Sequence, residues 1–194
     1  MSIINHRKTS QPLRKWSRVL LRRPTPADEA DFLAMSRAGK RSHGQWWGLA
    51  TDAEGCRKFL ARIDGVRFEG FLVCLRDGGG IVGVVNVNEI IRGRLQGAFL
   101  GYAGNPAHAG TGLMTEGLRL VLSYAFTKLK LHRLEANIQP ANHRSIALAK
   151  RCGFRKEGFS PRYLKLGGRW RDHERWAMTV EDWRKVRNLR KSLN

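Results

Sequence analysis

The sequence predicts an α/β protein built on one sheet that is antiparallel at one end and has a crossover in its middle. Three observations lead there. Two runs of alternating or continuously apolar residues, 69 to 75 and 80 to 91, are separated by the turn Asp77-Gly78-Gly79-Gly80 and read as a hairpin. The strongest helical stripe, 112 to 129, lies between two strand-like runs, as a crossover requires. Near the C-terminus, runs at 159 to 166 and 170 to 180 flank Gly167-Gly168 and read as a closing hairpin.

The elements follow in order. Residues 18 to 23, RVLLRR, alternate weakly as a first strand, and Pro24 stops it. Thr25 or Asp28 can cap a helix that places Ala30, Phe32, Leu33 and Met35 on one side. A second helix fits 52 to 64, with Phe59, Leu60 and Ile63 inward. After the hairpin, the Arg92-Gly93 turn leads into a strand over 95 to 103. In the 112 to 129 helix, Leu113, Gly117, Leu118, Val121, Ala125 and Leu129 recur at helical spacing, and Met114, Leu122 and Phe126 widen the stripe. HRLEANI at 132 to 138 alternates: Leu134, Ala136 and Ile138 point one way, Arg133, Glu135 and Asn137 the other. A short helix over 142 to 152 ends on Gly153, a natural left-handed terminator.

Length and composition set outer limits. A chain of 194 residues supports one compact domain. Its longest apolar runs fall far short of the roughly 20 residues needed to span a bilayer, so a membrane-spanning helix is not expected. Cys56, Cys74 and Cys152 are odd in number and widely spaced, which disfavours a disulfide framework and a thiolate zinc site; no metal site is expected. The first 16 residues carry charge but no apolar core, so they do not read as a secretory signal. Together these point to a reducing, cytoplasmic setting. Against 16 acids stand 36 Lys and Arg, a net charge of +20. Residues 1 to 23 hold seven basic residues and no acid, and 184 to 194 hold five and no acid. Such ends attract polyanions in a salt-dependent way. The expected organisation is a basic arm at 1 to 17, a folded domain at 18 to 183 and a basic tail at 184 to 194.

The chemistry begins at GYAGNPAHAGTGLM, 101 to 114, where a strand passes through a glycine-rich loop into the strongest helix. A helix start leaves amide N–H groups unpaired at the positive end of the dipole, a natural phosphate site. Gly110 and Gly112 let backbone approach closely, and the Thr111 hydroxyl could add a bond. Thr115 occupies the third place of a dinucleotide G-x-G-x-x-G fingerprint, and the Gly-Lys-Ser/Thr of a nucleotide P-loop is absent.

At this point the chain resembles the GNAT acyltransferases, and within them the RimJ type, the ribosomal-protein alanine N-acetyltransferases. The resemblance rests on LGYAGNPAHAGTGLMTEGL at 100 to 118, HRLEANIQPANHRSIALAKRCGFRKEGF at 132 to 159 and YLKLGGRWRDH at 163 to 173. It implies the GNAT fold: a mixed central sheet with an antiparallel N-terminal meander, splayed central strands and helices on both faces. It also implies acetyl-CoA as cofactor. The pantetheine would lie along Leu100, Gly101 and Tyr102, with the pyrophosphate on the amides of Ala109, Gly110, Thr111, Gly112, Leu113 and Met114. Asn142 and Ser145, the N-x-x-S element, match positions beside the pantetheine arm, although Asn142 is equally an ordinary helix cap. The loop departs from the family pattern at Ala107, where Gln or Arg is usual, and at Thr111, where a basic residue is common.

The implied reaction is acetyl transfer to an amine. Deprotonating an α-amine of pKa near 8 costs about 1 kcal/mol at pH 7, against about 4.6 for a lysine amine, so an N-terminal acceptor needs only modest help. Glu135 is the first candidate base, at a place where relatives carry a carboxylate, and Glu89 the second. Ser145 and Tyr163 are candidate acids, since Ala149 replaces the tyrosine some relatives use. Asp172 and His173 are adjacent in a strand and point to opposite faces, so they form no catalytic pair. Gln45-Trp46-Trp47 falls where relatives overhang the acceptor. The expected acceptor is a protein or peptide N-terminus, which the resemblance makes that of a ribosomal protein, with ribosome or RNA contact through the basic ends. Two other readings stay open: a small-amine acetyltransferase acting on an antibiotic or polyamine, and a catalytically weak RNA-binding module.

Overall fold

The computed structural model describes residues 17–43, 46 and 48–192. Seven strands form one sheet in the order β1-β2-β3-β4-β5-β7-β6. They are β1 (Val19–Arg22), β2 (Glu69–Leu75), β3 (Ile81–Ile91), β4 (Gly97–Gly104), β5 (Arg133–Ile138), β6 (Arg155–Leu166) and β7 (Arg169–Thr179). Every neighbouring pair is antiparallel except β4 and β5. That parallel pair needs a crossover, supplied by α3 (Leu113–Thr127). The mixed sheet predicted from the sequence is therefore present, with the meander and the crossover where the pattern placed them.

Both faces of the sheet are covered, which explains why β2 reads as an uninterrupted apolar run. Phe71 and Val73 join the core formed with α3 and α4 (His143–Cys152), while Leu72 and Cys74 face α1 (Glu29–His43) and α2 (Ala53–Ala61). The apolar stripe of α3 packs as predicted: Leu118, Val121 and Ala125 are fully buried. Among the described residues, no helix is long and apolar enough to cross a membrane.

Three differences from the expected layout have local causes. Strand β6 begins at Arg155, before the expected 159, and runs through Pro161 by a register shift between Ser160 and Leu164, with Arg162 in a left-handed conformation. The stretch expected as a basic tail from 184 belongs largely to a helix, α5 (Val180–Ser192). Thr179 starts it: its hydroxyl bonds the Asp182 carboxylate at 3.0 Å, a threonine–acid capping pair, and Trp183 is buried against Phe126. The basic arm predicted at 1 to 17 lies, apart from Ser17, outside the described residues, as do Gln45 and Trp47.

Candidate active site

Strands β4 and β5 pair only from Gly97 to Phe99, with Phe99 opposite Glu135. Beyond that row they splay, so the β4 edge at Leu100, Gly101 and Tyr102 has no strand on its β5 side. An unpaired strand edge offers backbone donors and acceptors to an extended ligand. A cleft of about 1970 Å³ opens there, running from the loop before α3 to the β6–β7 hairpin.

At one end of the cleft lies the start of α3. Gly110 and Gly112 both have left-handed φ, +78° and +80°, which a side chain disfavours. Of the six amides expected to grip a pyrophosphate, two have other work: Ala109 N–H donates to Pro106 O at 3.0 Å and Thr111 N–H to His108 O at 3.4 Å. The amides of Gly110, Gly112, Leu113 and Met114 donate to no carbonyl among the described residues. The Thr111 hydroxyl donates to His108 O at 2.7 Å, so it closes the loop and is not turned to a ligand. Its carbonyl accepts from Arg18 at 3.0 Å, and Arg18 also grips Glu116 in the first turn of α3. Arg18 thus places a guanidinium beside the loop expected to take the phosphates.

Along the cleft wall, Asn142 caps α4 by accepting the Ser145 amide at 3.1 Å. The Ser145 hydroxyl donates to the Tyr102 phenol oxygen at 2.9 Å. Sequence reasoning gave Tyr102 only a backbone role; its phenol partners the very serine expected to be an acid. Burial holds the phenol above the ordinary tyrosine range, partly offset by the Ser145 bond. The pair therefore keeps its protons and spends both within the wall, since the Tyr102 hydroxyl donates in turn to the Ser145 carbonyl at 3.3 Å.

Glu135 faces the predicted side of β5, but its carboxylate bonds Arg133 at 2.7 Å, and Arg133 in turn grips Glu157. The chain of ion pairs continues through Arg155 to Asp182. Glu135 is therefore engaged as an anion beside the fork and is not among the residues that line the cleft, unlike the place expected of a base. Glu89 does line the cleft, yet it is ion-paired with Arg67 at 2.9 Å. Asn137 lines it too, with a buried Oδ1 that has no hydrogen-bond partner among the described residues. At the hairpin end stand Tyr163 and His173, with ring centroids 6.0 Å apart. Trp46 also borders the cleft. Among the described residues, no group of His, Cys, Asp and Glu gathers in a metal-binding arrangement.

Known proteins share this sequence and this fold. The profile described as Acetyltransferase (GNAT) domain matches residues 18–155. The chain is 46% identical over 102 residues to "Probable N-acetyltransferase YjcK" of Bacillus subtilis, covering 53% of this chain and 56% of that protein. It is 41% identical over 103 residues to "[Ribosomal protein uS5]-alanine N-acetyltransferase" of Escherichia coli, covering 53% of each. The chain thus spans about half the length of these curated relatives. Among solved structures, "Mycobacterium smegmatis RimJ in complex with CoA-disulfide" superposes with a TM-score of 0.77 at 29% identity, over 84% of this chain and 83% of that one. By profile, sequence and architecture, the chain belongs to the GNAT acetyltransferase family.

Proposed function

We propose that the protein transfers the acetyl group of acetyl-CoA to the α-amine at a protein N-terminus. The observation that carries this reading is the fork between β4 and β5, continuous with four unpartnered amides at the start of α3. Those residues fit a coenzyme A: bare N–H groups at a helix start suit a pyrophosphate, and an unpaired strand edge suits the amides of a pantetheine arm. Gly110, Gly112, Leu113 and Met114 would hold the phosphates with help from Arg18. The edge of β4 would hold the arm, and Asn142 and Ser145 lie along it. Bound there, the cofactor supplies an acyl group activated as a thioester. The Tyr102–Ser145 pair fixes the wall of the cleft at that point, and a β4 N–H near Leu100 or Gly101 is the proposed donor to the acyl oxygen.

The acceptor end discriminates between amines. Among the described residues, the carboxylates lining the cleft are Glu89 and Glu116, each already paired with an arginine. A polyamine pocket needs unengaged anions, so this wall favours an acceptor with a single amine over a polycation. An α-amine fits, and the uS5-alanine N-acetyltransferase of Escherichia coli makes a ribosomal protein the leading acceptor class. The cationic chain ends then serve as RNA contacts, and the three free, buried cysteines support a reducing, cytoplasmic setting.

The test is thiol release from acetyl-CoA, with alanine- and serine-starting peptides in one panel and spermidine and aminoglycosides in another. Peptide-dependent release is expected. Release with small amines alone would replace the acceptor class, and no release with either panel would sink the enzymatic reading.

A further inference from the structure

We propose that His173 is the proton acceptor for the incoming amine, with Nε2 as the accepting atom. The inference rests on the acetyl-transfer reading above and deepens it.

The register of β5 against β7 sets Glu135 opposite Ala177 and Asn137 opposite Arg175. Alternation therefore places His173 on the sheet face shared by Asn137. It lines the cleft at its hairpin end and is only 2% exposed. Its Nδ1 lies 2.9 Å from the Arg171 carbonyl oxygen. A carbonyl can only accept, so Nδ1 must carry the hydrogen. A neutral imidazole has one such hydrogen, which leaves Nε2 with its lone pair. No bond from another described residue engages Nε2.

Burial disfavours the imidazolium and lowers the histidine pKa, outweighing the Arg171 carbonyl and the charge of Asp172, which raise it. Tyr163 from β6 packs against the ring, and on its own strand the Arg171 carbonyl and the charge of Asp172 act on it. Asp172 is turned away to accept the Arg162 amide at 2.7 Å. The result is an imidazole that is uncharged at neutral pH, fixed in one tautomer and presented to the cleft. The carboxylates nearby offer no such base, because Glu89, Glu116 and Glu135 are all tied to arginines. The other cleft histidines, His108 and His143, belong to the phosphate loop and the start of α4.

In the step, the amine nitrogen forms a bond to the acetyl carbonyl carbon while the carbon–sulfur bond breaks, its electron pair leaving on sulfur. The proton shed by nitrogen passes to Nε2, directly or through one water. An ammonium bonded to an acyl carbon is far more acidic than a free one, so a base weaker than the amine suffices. The imidazolium then returns the proton to solvent or to the departing thiolate.

His173→Asn separates this role from a structural one, because the asparagine amide can still donate to the Arg171 carbonyl but offers no base. With the full chain, acetyl-CoA and an alanine-starting peptide, kcat is expected to fall about 100-fold. Coenzyme A affinity should stay within about twofold, and the acid limb of the kcat profile below the ordinary histidine pKa of about 6.5 should disappear. Activity of His173→Asn within about threefold of wild type, or a matching loss of coenzyme affinity, overturns the proposal. Nitrogen-15 spectra of the wild-type imidazole test the premise without any variant: a hydrogen on Nδ1 supports it and a hydrogen on Nε2 defeats it. A wild-type chain that acetylates no amine overturns the acetyl-transfer reading itself, whereas active wild type with equally active His173→Asn overturns only the role of His173.

Discussion

Gly112 is where backbone conformation and ligand chemistry meet. It caps α3 with φ +80°, and its amide is one of the four without a carbonyl partner among the described residues. Gly112→Asp forces a side chain into a left-handed position and sets a carboxylate against a pyrophosphate; the nearby Arg18, 3.6 Å from a Cβ at this site, would offset only part of that charge. Calorimetry should show coenzyme A affinity at least about tenfold weaker, equivalent to about 1.4 kcal/mol. Unchanged affinity would remove the loop from the binding site. Glu135 leads to the opposite expectation. Because its carboxylate holds Arg133, Glu135→Gln should cost about 1 kcal/mol of stability and leave kcat within about threefold. A 100-fold loss of turnover with an unchanged melting temperature would restore it as a base.

At the scale of elements, α3 against β2 decides how closely helix and sheet approach. A Cβ on Gly117 would sit 2.5 Å from Val73 Cγ1, so Gly117→Ala sets a gain of about 1 kcal/mol in helix propensity against an overpacking cost of about 1–3 kcal/mol. Val73 is branched and fully buried, and cannot yield. Urea denaturation should therefore show a net loss of stability; a gain would mean the helix slides. Gly117 also shows what the sequence can express. Its place on the apolar stripe of α3 is legible from spacing, and so are the meander and the alternation of β5. Local signals of this kind survive because each residue answers to its own turn or strand. The fork is different: it depends on where pairing between β4 and β5 stops, and only the resemblance pointed there. Arg18 and Glu116 are 98 residues apart, so no window along the chain reveals their bond. The role of Tyr102 was likewise hidden, because its partner Ser145 lies on another element. Helix α5 was announced by Thr179 and Asp182 but obscured by the run of basic residues after it.

For the whole molecule, the governing quantity is its charge of +20. With 36 Lys and Arg against 16 acids, the surface field is positive at any pH below the titration of lysine. A free basic peptide approaches such a surface against repulsion, while one with acids after its first residue is drawn in. The field acts before the amine reaches the fork, so it belongs to KM rather than kcat. With coenzyme saturating, acidic alanine-starting peptides should show a KM about tenfold lower than basic ones at low ionic strength. The gap should close to about twofold near 0.3 M salt, where screening lengths fall below about 6 Å. Preference that ignores salt would place selectivity in direct side-chain contacts at the cleft mouth. Preference for basic peptides would mean that an anionic scaffold, such as RNA carrying the acceptor, must first neutralise the enzyme surface.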